Sequence, residues 1–248
     1  MGALKKLTWL FFGLCLWLGQ PLLAQAPQEK LHVLVVTGGH DFDRDAFFAM
    51  FRSFRNVSFQ ELKHPVAFDY LTTQNAAPFQ VIVFYDMHHK IAEEERKNLL
   101  GLLKQGKGMV FLHHALVSYE EWPEHANIVG GHYYQKPHVK EGRELPASSY
   151  SHDEPIEVRV EDKNHPVTKN VGNFSIFDET YGDFWVSDKV HPLLSTDHPK
   201  STKIIGWANR YLNSRIVYLQ PGHGPQIFGE EPYRKLVLQA MQWVSEKP

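Results

Sequence analysis

Four histidines stand where apolar runs of this chain break into polar turns: His40, His113, His114 and His223. The runs before them, residues 31–37, 108–112 and 215–220, are rich in β-branched residues and read as strands. A further run, residues 79–85, ends in Asp86-Met87-His88. In an open α/β sheet the carboxyl ends of the strands line the ligand crevice, so these distant side chains can meet. Neutral imidazole is the commonest side-chain ligand of zinc and similar ions, and three protein ligands with one open position make a catalytic centre. His40, His113 and His223 therefore form the candidate set for a divalent metal, zinc first, and no organic cofactor is expected. No H-E-x-x-H or C-x-x-C spacing makes a metal specific. Each histidine could equally satisfy a backbone group at the start of its loop.

The paired His113 and His114 carry a geometric limit. If the strand stays extended through both, their rings point to opposite faces, one to the crevice and one beneath it. A turn beginning at His114 would relax this. Acid and base candidates are Glu179 and Tyr181, with Asp178 and Asp183 beside them in the aromatic-dense segment 174–185. His152, in His152-Asp153-Glu154, closes a polar stretch and could fold over the site as a further catalytic group. Asp86, His88, Trp122, Asp178 and Trp185 are candidates for holding a substrate, with Tyr133 and Tyr134 as further aromatics. Aromatic rings beside carboxylates suit a sugar, whose apolar faces stack while its hydroxyls hydrogen-bond; the alternative is that these aromatics are core. His64, His165, His191 and His198 each precede proline and read as turn punctuation. His125 and His138 read as surface.

The elements that must position these residues alternate. A strand over 31–37 leads through Gly38-Gly39-His40-Asp41 into a helix in which Phe47, Phe51 and Phe54 recur at helical spacing. Strands over 58–63 and 79–85 come next, then a helix over 92–104 with Glu93, Glu94 and Glu95 in its first turn, where the helix dipole favours them. The strand at 108–112 follows. A short helix starts at Trp122-Pro123-Glu124, and residues 132–152 show no period. Strands are expected over 156–160, 203–209 and 215–220, and a final helix over 230–246. Strand and helix in alternation predict one mostly parallel sheet with helices on both faces.

Residues 1–26 read as a secretory signal peptide: Lys5 and Lys6, an apolar segment, then Ala24-Gln25-Ala26 as cleavage site. A membrane anchor is the alternative, but the apolar core is short for a span. Residues 27–248 then form a single domain, exported to the periplasm or secreted. The chain's one cysteine, Cys15, leaves with the signal, so no thiol nucleophile remains. The formal net charge of −2 becomes more negative once Lys5 and Lys6 are gone, which argues against nucleic acid or an anionic membrane as partner.

Several motifs recur in order: Val36-Thr37-Gly38-Gly39-His40-Asp41-Phe42, Phe84-Tyr85-Asp86-Met87, Phe111-Leu112-His113-His114-Ala115-Leu116, Trp122-Pro123-Glu124, His165-Pro166-Val167-Thr168, Asp178-Glu179-Thr180-Tyr181 and Pro221-Gly222-His223. Together they resemble the ThuA-like (trehalose utilisation) family over nearly the whole mature chain. The resemblance implies a flavodoxin-like fold of the class I glutamine amidotransferase-like superfamily and a role in metabolism of trehalose-type or 3-keto sugars. It implies that His40, His113, Glu179, Tyr181 and His223 occupy shared positions and that a bound zinc has precedent. His132, in Gly130-Gly131-His132-Tyr133, departs from the pattern. Amidotransferases of this superfamily carry a cysteine at the sharp turn after the central strand, where this chain has His113-His114, so thiolate hydrolysis of glutamine is excluded. Three readings remain: an exported sugar-processing enzyme (isomerase, lyase or hydrolase) using metal- or histidine-assisted proton transfer, a periplasmic carbohydrate-binding module without catalysis, or a structural partner of a larger periplasmic complex. The oligomeric state is not legible.

Overall fold

The first strand shows how this sequence builds a sheet covered on both sides. In β1 (Leu31–Gly38), Val33 and Val35 enter one core while Leu34 and Val36 enter another. After β2 (Val57–Lys63), the strands β3 (Val81–Asp86) and β4 (Gly108–Leu112) are buried at every position. Continuous apolar runs are what a doubly covered strand requires. The structure is a computed structural model that describes residues 30–140 and 142–246; the expected signal peptide lies outside them.

The remaining strands of the main sheet are β5 (Ser149–Val160), β6 (Phe174–Gly182), β7 (His191–Ser195), β8 (Ile204–Tyr211) and β9 (Ser214–Leu219). Their order across the sheet is β2-β1-β3-β4-β9-β8-β7-β5-β6. The first five run parallel, in the 2-1-3-4-5 arrangement of flavodoxin-like sheets. Helices α1 (Arg44–Arg52) and α4 (Glu231–Ser245) supply Phe47, Phe51, Leu236 and Val237 to the core with Val33 and Val35. Helices α2 (Glu93–Lys104) and α3 (Pro123–Val129) supply Leu99, Leu102, Leu103 and Ile128 to the opposite core. Asp43 caps α1 by accepting from the Ala46 N–H at 2.9 Å. No helix among the described residues is long and apolar enough to cross a membrane.

The expected α/β fold with helices on both faces is present, and the other half of the sheet adds an antiparallel extension. Strands β8 and β9 are joined by a two-residue turn, which permits only antiparallel pairing. Strand β5 begins at Ser149, well before the expected residue 156, because its outer half is exposed on both sides and shows no clean alternation. Part of the stretch expected to be irregular is also paired: His138–Lys140 with Arg143–Leu145.

β5 and β6 form a long ribbon. Twelve residues of β5 span about 40 Å at the usual strand rise. Among the described residues, the ribbon's strand pairing to the rest of the sheet is Leu194 with Val160 and Ser195 with Arg159. Its far end, residues 149–154 and 178–182, arches over the carboxyl ends of β4 and β9, where the candidate site lies.

Candidate functional site

His113 opens the turn that follows β4. β4 ends at Leu112, and a 3-10 turn (His113–Val117) starts with His113 at φ +48°. A left-handed non-glycine residue costs on the order of 1 kcal/mol and persists only where its surroundings hold it. Here the Tyr218 hydroxyl donates to the His113 carbonyl at 3.1 Å, and His113 Nδ1 lies 2.7 Å from the Gln220 carbonyl. Both come from β9 or the residue after it. The turn begins one residue earlier than expected, so the two rings part without an extended strand between them. His113 faces the ribbon, whereas His114 packs against Tyr85 at 4.3 Å and His40 at 4.7 Å between ring centroids.

His223 lies on the loop after β9, and Asp178 sets that loop's shape. The buried Asp178 carboxylate accepts from the backbone N–H groups of Gly222 at 2.6 Å, His223 at 3.1 Å and Gly224 at 3.0 Å. The Tyr85 hydroxyl donates to the Gly222 carbonyl at 2.7 Å. Gly222 has φ +139°, and a Cβ there would lie 2.6 Å from the Tyr233 hydroxyl, so only glycine fits.

Glu179, 5 % exposed, comes from β6 and receives the imidazoles. Its Oε2 is 2.8 Å from His113 Nε2 and 3.2 Å from His223 Nδ1, while Oε1 is 3.1 Å from His152 Nδ1. The two histidines themselves approach to 3.2 Å, Nε2 to Nδ1. Tyr181 stacks on the His113 ring at 4.8 Å and brings its hydroxyl to 3.0 Å from Nε2. Burial alone would raise the Glu179 carboxyl, yet hydrogen bonds from His113 and His223 outweigh it and hold it well below the usual carboxylate range. The bond to Glu179 in turn raises His223. Burial lowers His40 and drives His114 down further.

The donor set can be tested for a metal. His113 Nε2, His223 Nδ1 and a Glu179 oxygen lie within 4.8 Å of one another. Zinc bonds of about 2.1 Å in tetrahedral array put ligand atoms about 3.4 Å apart, close to the spacings here. The Gln220 carbonyl can only accept, so His113 Nδ1 carries a proton and Nε2 presents a lone pair in the neutral ring. A lone pair 2.8 Å from a carboxylate oxygen calls for a second proton on the ring or a cation between the two. A ligating histidine whose other nitrogen donates to a backbone carbonyl is the usual supporting arrangement. The residues fit. Glu179 takes the place expected for His40, whose ring lies 5.8 Å from that of His223 and stacks on His114 instead.

Glu179, Tyr181, His152 and His40 line a crevice of about 420 Å³, together with Tyr133 and Tyr150. A larger concavity of about 830 Å³, bordered by His165, Lys189, Arg210 and Trp243, lies at the other end of the strands and holds no comparable cluster among the described residues. We take the smaller crevice as the site because the titratable groups converge there.

The other expected residues lie elsewhere or do other work. Asp86 is buried with His64 Nε2 at 3.2 Å and the Ser118 hydroxyl at 3.2 Å, and His88 stacks on His64 at 4.6 Å. Trp122 is core, against Tyr119 and His125. Trp185 pairs with His132 in a short two-stranded ribbon and faces a different hollow beside Tyr134 and His138. Asp178 is a scaffold for the His223 loop rather than a substrate ligand, because its oxygens are occupied by backbone N–H groups. His125, expected at the surface, is buried, and His64, expected as turn punctuation, is a buried hydrogen-bonding residue. Tyr85, Gln220 and Tyr218 were not anticipated as site supports; their one sequence signal is position at or near the last residues of buried strands.

A family model described as ThuA, trehalose utilisation, matches residues 32–244. A ThuA-like protein from Parabacteroides merdae is similar in structure, with TM-score 0.74 and 18 % identity over 88 % of this chain and 90 % of that one. A ThuA-like protein from Bacteroides uniformis has TM-score 0.65 and 20 % identity over 91 % and 95 %. A glutamine amidotransferase from Thermotoga maritima has TM-score 0.50 and 12 % identity over 89 % and 100 %. Comparison with curated proteins finds no match. At these identities the structural likenesses speak for the fold, and the match along 32–244 carries the conclusion: the chain belongs to the ThuA (trehalose utilisation) family.

Proposed function

We propose that this protein is an exported enzyme of carbohydrate metabolism that acts on trehalose-type or 3-keto sugars by proton transfer. One observation supports this most: His113, His223 and Glu179 converge from three separate segments, and Glu179 among them lines a crevice large enough for a small ligand. Export rests on the character of residues 1–26, and the sugar class rests on the family. Thiol amidotransferase chemistry is left out of the proposal because a histidine occupies the turn after β4 and the chain's one cysteine is Cys15.

His113, His223 and Glu179 would hold a divalent metal, zinc first, which when bound supplies a Lewis acid for a carbonyl or hydroxyl oxygen. Of the chain's own groups, His40 is kept neutral by burial and can take a proton. Tyr181 keeps the His113 ring in place by stacking and by its hydroxyl.

Elemental analysis of the purified mature protein, with turnover of trehalose and its 3-keto form, tests this. A stoichiometric transition metal lost in His113→Ala and His223→Ala, with turnover lost alongside it, is the expected result. Neither metal nor turnover in the unaltered protein overturns it. Sugar binding without turnover would favour a carbohydrate-binding module instead.

A further inference from the structure

The outer end of the β5–β6 ribbon has one irregularity, and it falls opposite Glu179. Ser151 pairs with Thr180 and Glu154 pairs with Asp178, so His152 and Asp153 together oppose the single residue Glu179. Two residues against one is a β-bulge, a feature common beside active sites because it redirects a side chain. Asp153 accommodates the extra residue at φ +57°. The redirected side chain is His152, whose Nδ1 reaches Glu179 Oε1 at 3.1 Å and whose ring lies 4.8 Å from that of His223.

The two oxygens of Glu179 therefore have separate tasks. Oε2 faces His113 and His223; Oε1 faces only His152 among the three rings. A carboxylate turns easily about its last torsion, which has broad wells. A partner on Oε1 restricts that swivel away from the two ligating nitrogens.

We propose that His152 is a positioning residue: by donating from Nδ1 to Glu179 Oε1 it fixes the carboxylate so that Oε2 joins His113 Nε2 and His223 Nδ1 in a ready-made metal set. The affinity of that set for a divalent transition metal is thereby controlled from the bulge. This rests on the reading that His113, Glu179 and His223 bind a metal. Such outer partners of metal ligands are worth about 10–100-fold in affinity. The His152 side chain is 51 % exposed, so its truncation removes little packing.

The test uses the full mature chain stripped of metal and titrated with zinc against a chromophoric competitor. His152→Ala should bind zinc about 10–100-fold more weakly at unchanged stoichiometry, with an unchanged melting temperature of the metal-free protein. His152→Gln, which keeps a side-chain N–H donor, should recover part of the loss. Asp153→Gly, which suits the left-handed backbone, should bind as the unaltered protein does. Equal zinc affinity in His152→Ala and the unaltered protein overturns the role of His152 alone. Absence of zinc binding in the unaltered protein overturns the metal reading and this inference with it.

Discussion

His125 offers a test of the structure that needs no substrate. It lies on α3, 1 % exposed, with its ring 5.0 Å from Tyr119, 5.7 Å from Phe111 and 6.3 Å from Trp122. Burial pushes its pKa from the ordinary 6.5 down to about 4; Asp86 opposes this weakly and His132 adds to it. The folded-state value is depressed, so the unfolded chain takes up the proton first as pH falls. The stabilisation is complete above about pH 6.5, is lost progressively down to about pH 4, and changes no further below that. Applying the linkage relation to these two values gives a loss of about 2 kcal/mol at pH 5 and about 3 kcal/mol in the acid limit. Other buried histidines such as His114 contribute in the same direction, so the comparison must be between variants. Urea unfolding of the unaltered protein and His125→Leu at about pH 7.5 and about pH 5 isolates the one residue. The variant should lose about 2 kcal/mol less stability over that interval. Parallel pH dependences for the two proteins would refute the burial of a neutral imidazole under α3.

Two further perturbations probe the site's supports. Asp178→Ala leaves three N–H groups, two of them buried, without their acceptor and should cost about 3 kcal/mol in urea unfolding, with loss of zinc uptake as His223 leaves its place. Unaltered zinc affinity would show that the loop holds its shape unaided. Gly222→Ala should destabilise by about 1–3 kcal/mol through the clash with Tyr233 and the φ of +139°; combining it with Tyr233→Phe should return only the clash part, and full recovery would mean the backbone is unstrained.

The half of the fold that could be read from sequence is the half whose strands are covered on both faces. β3 and β4, and β1 from Val33 onward, leave apolar runs because their side chains are buried on both faces of the sheet. β5 could not be read in the same way, since its outer residues are exposed and a bulge interrupts its register. β7 is five residues long, includes Pro192 and pairs irregularly with β8. Within the site, His113 and His223 were legible as residues at strand ends. Glu179 was legible as an acid or base but not as a partner of both, because that depends on how the ribbon arches. Asp178 and Glu179 are neighbours in one strand and so point to opposite faces, which gives them different work. His125 reads as surface in the sequence, although it is buried, because α3 has only seven residues, too few to display a period.

The ribbon joins the sheet through two residue pairs at one end, yet carries Glu179, Tyr181 and His152 at the other. The two imidazoles and their carboxylate thus belong to separate pieces of architecture, tied together by Asp178 clasping the loop that carries His223, by Gln220 at Thr180 and by the Thr202 N–H on the Tyr181 carbonyl. Such a layout lets the outer wall of the crevice be rebuilt by substitutions along β5 while the flavodoxin-like half stays untouched. Grafting a foreign β5–β6 segment onto this scaffold is therefore a direct way to alter what the crevice admits, provided His152, Asp178, Glu179 and Tyr181 travel with it.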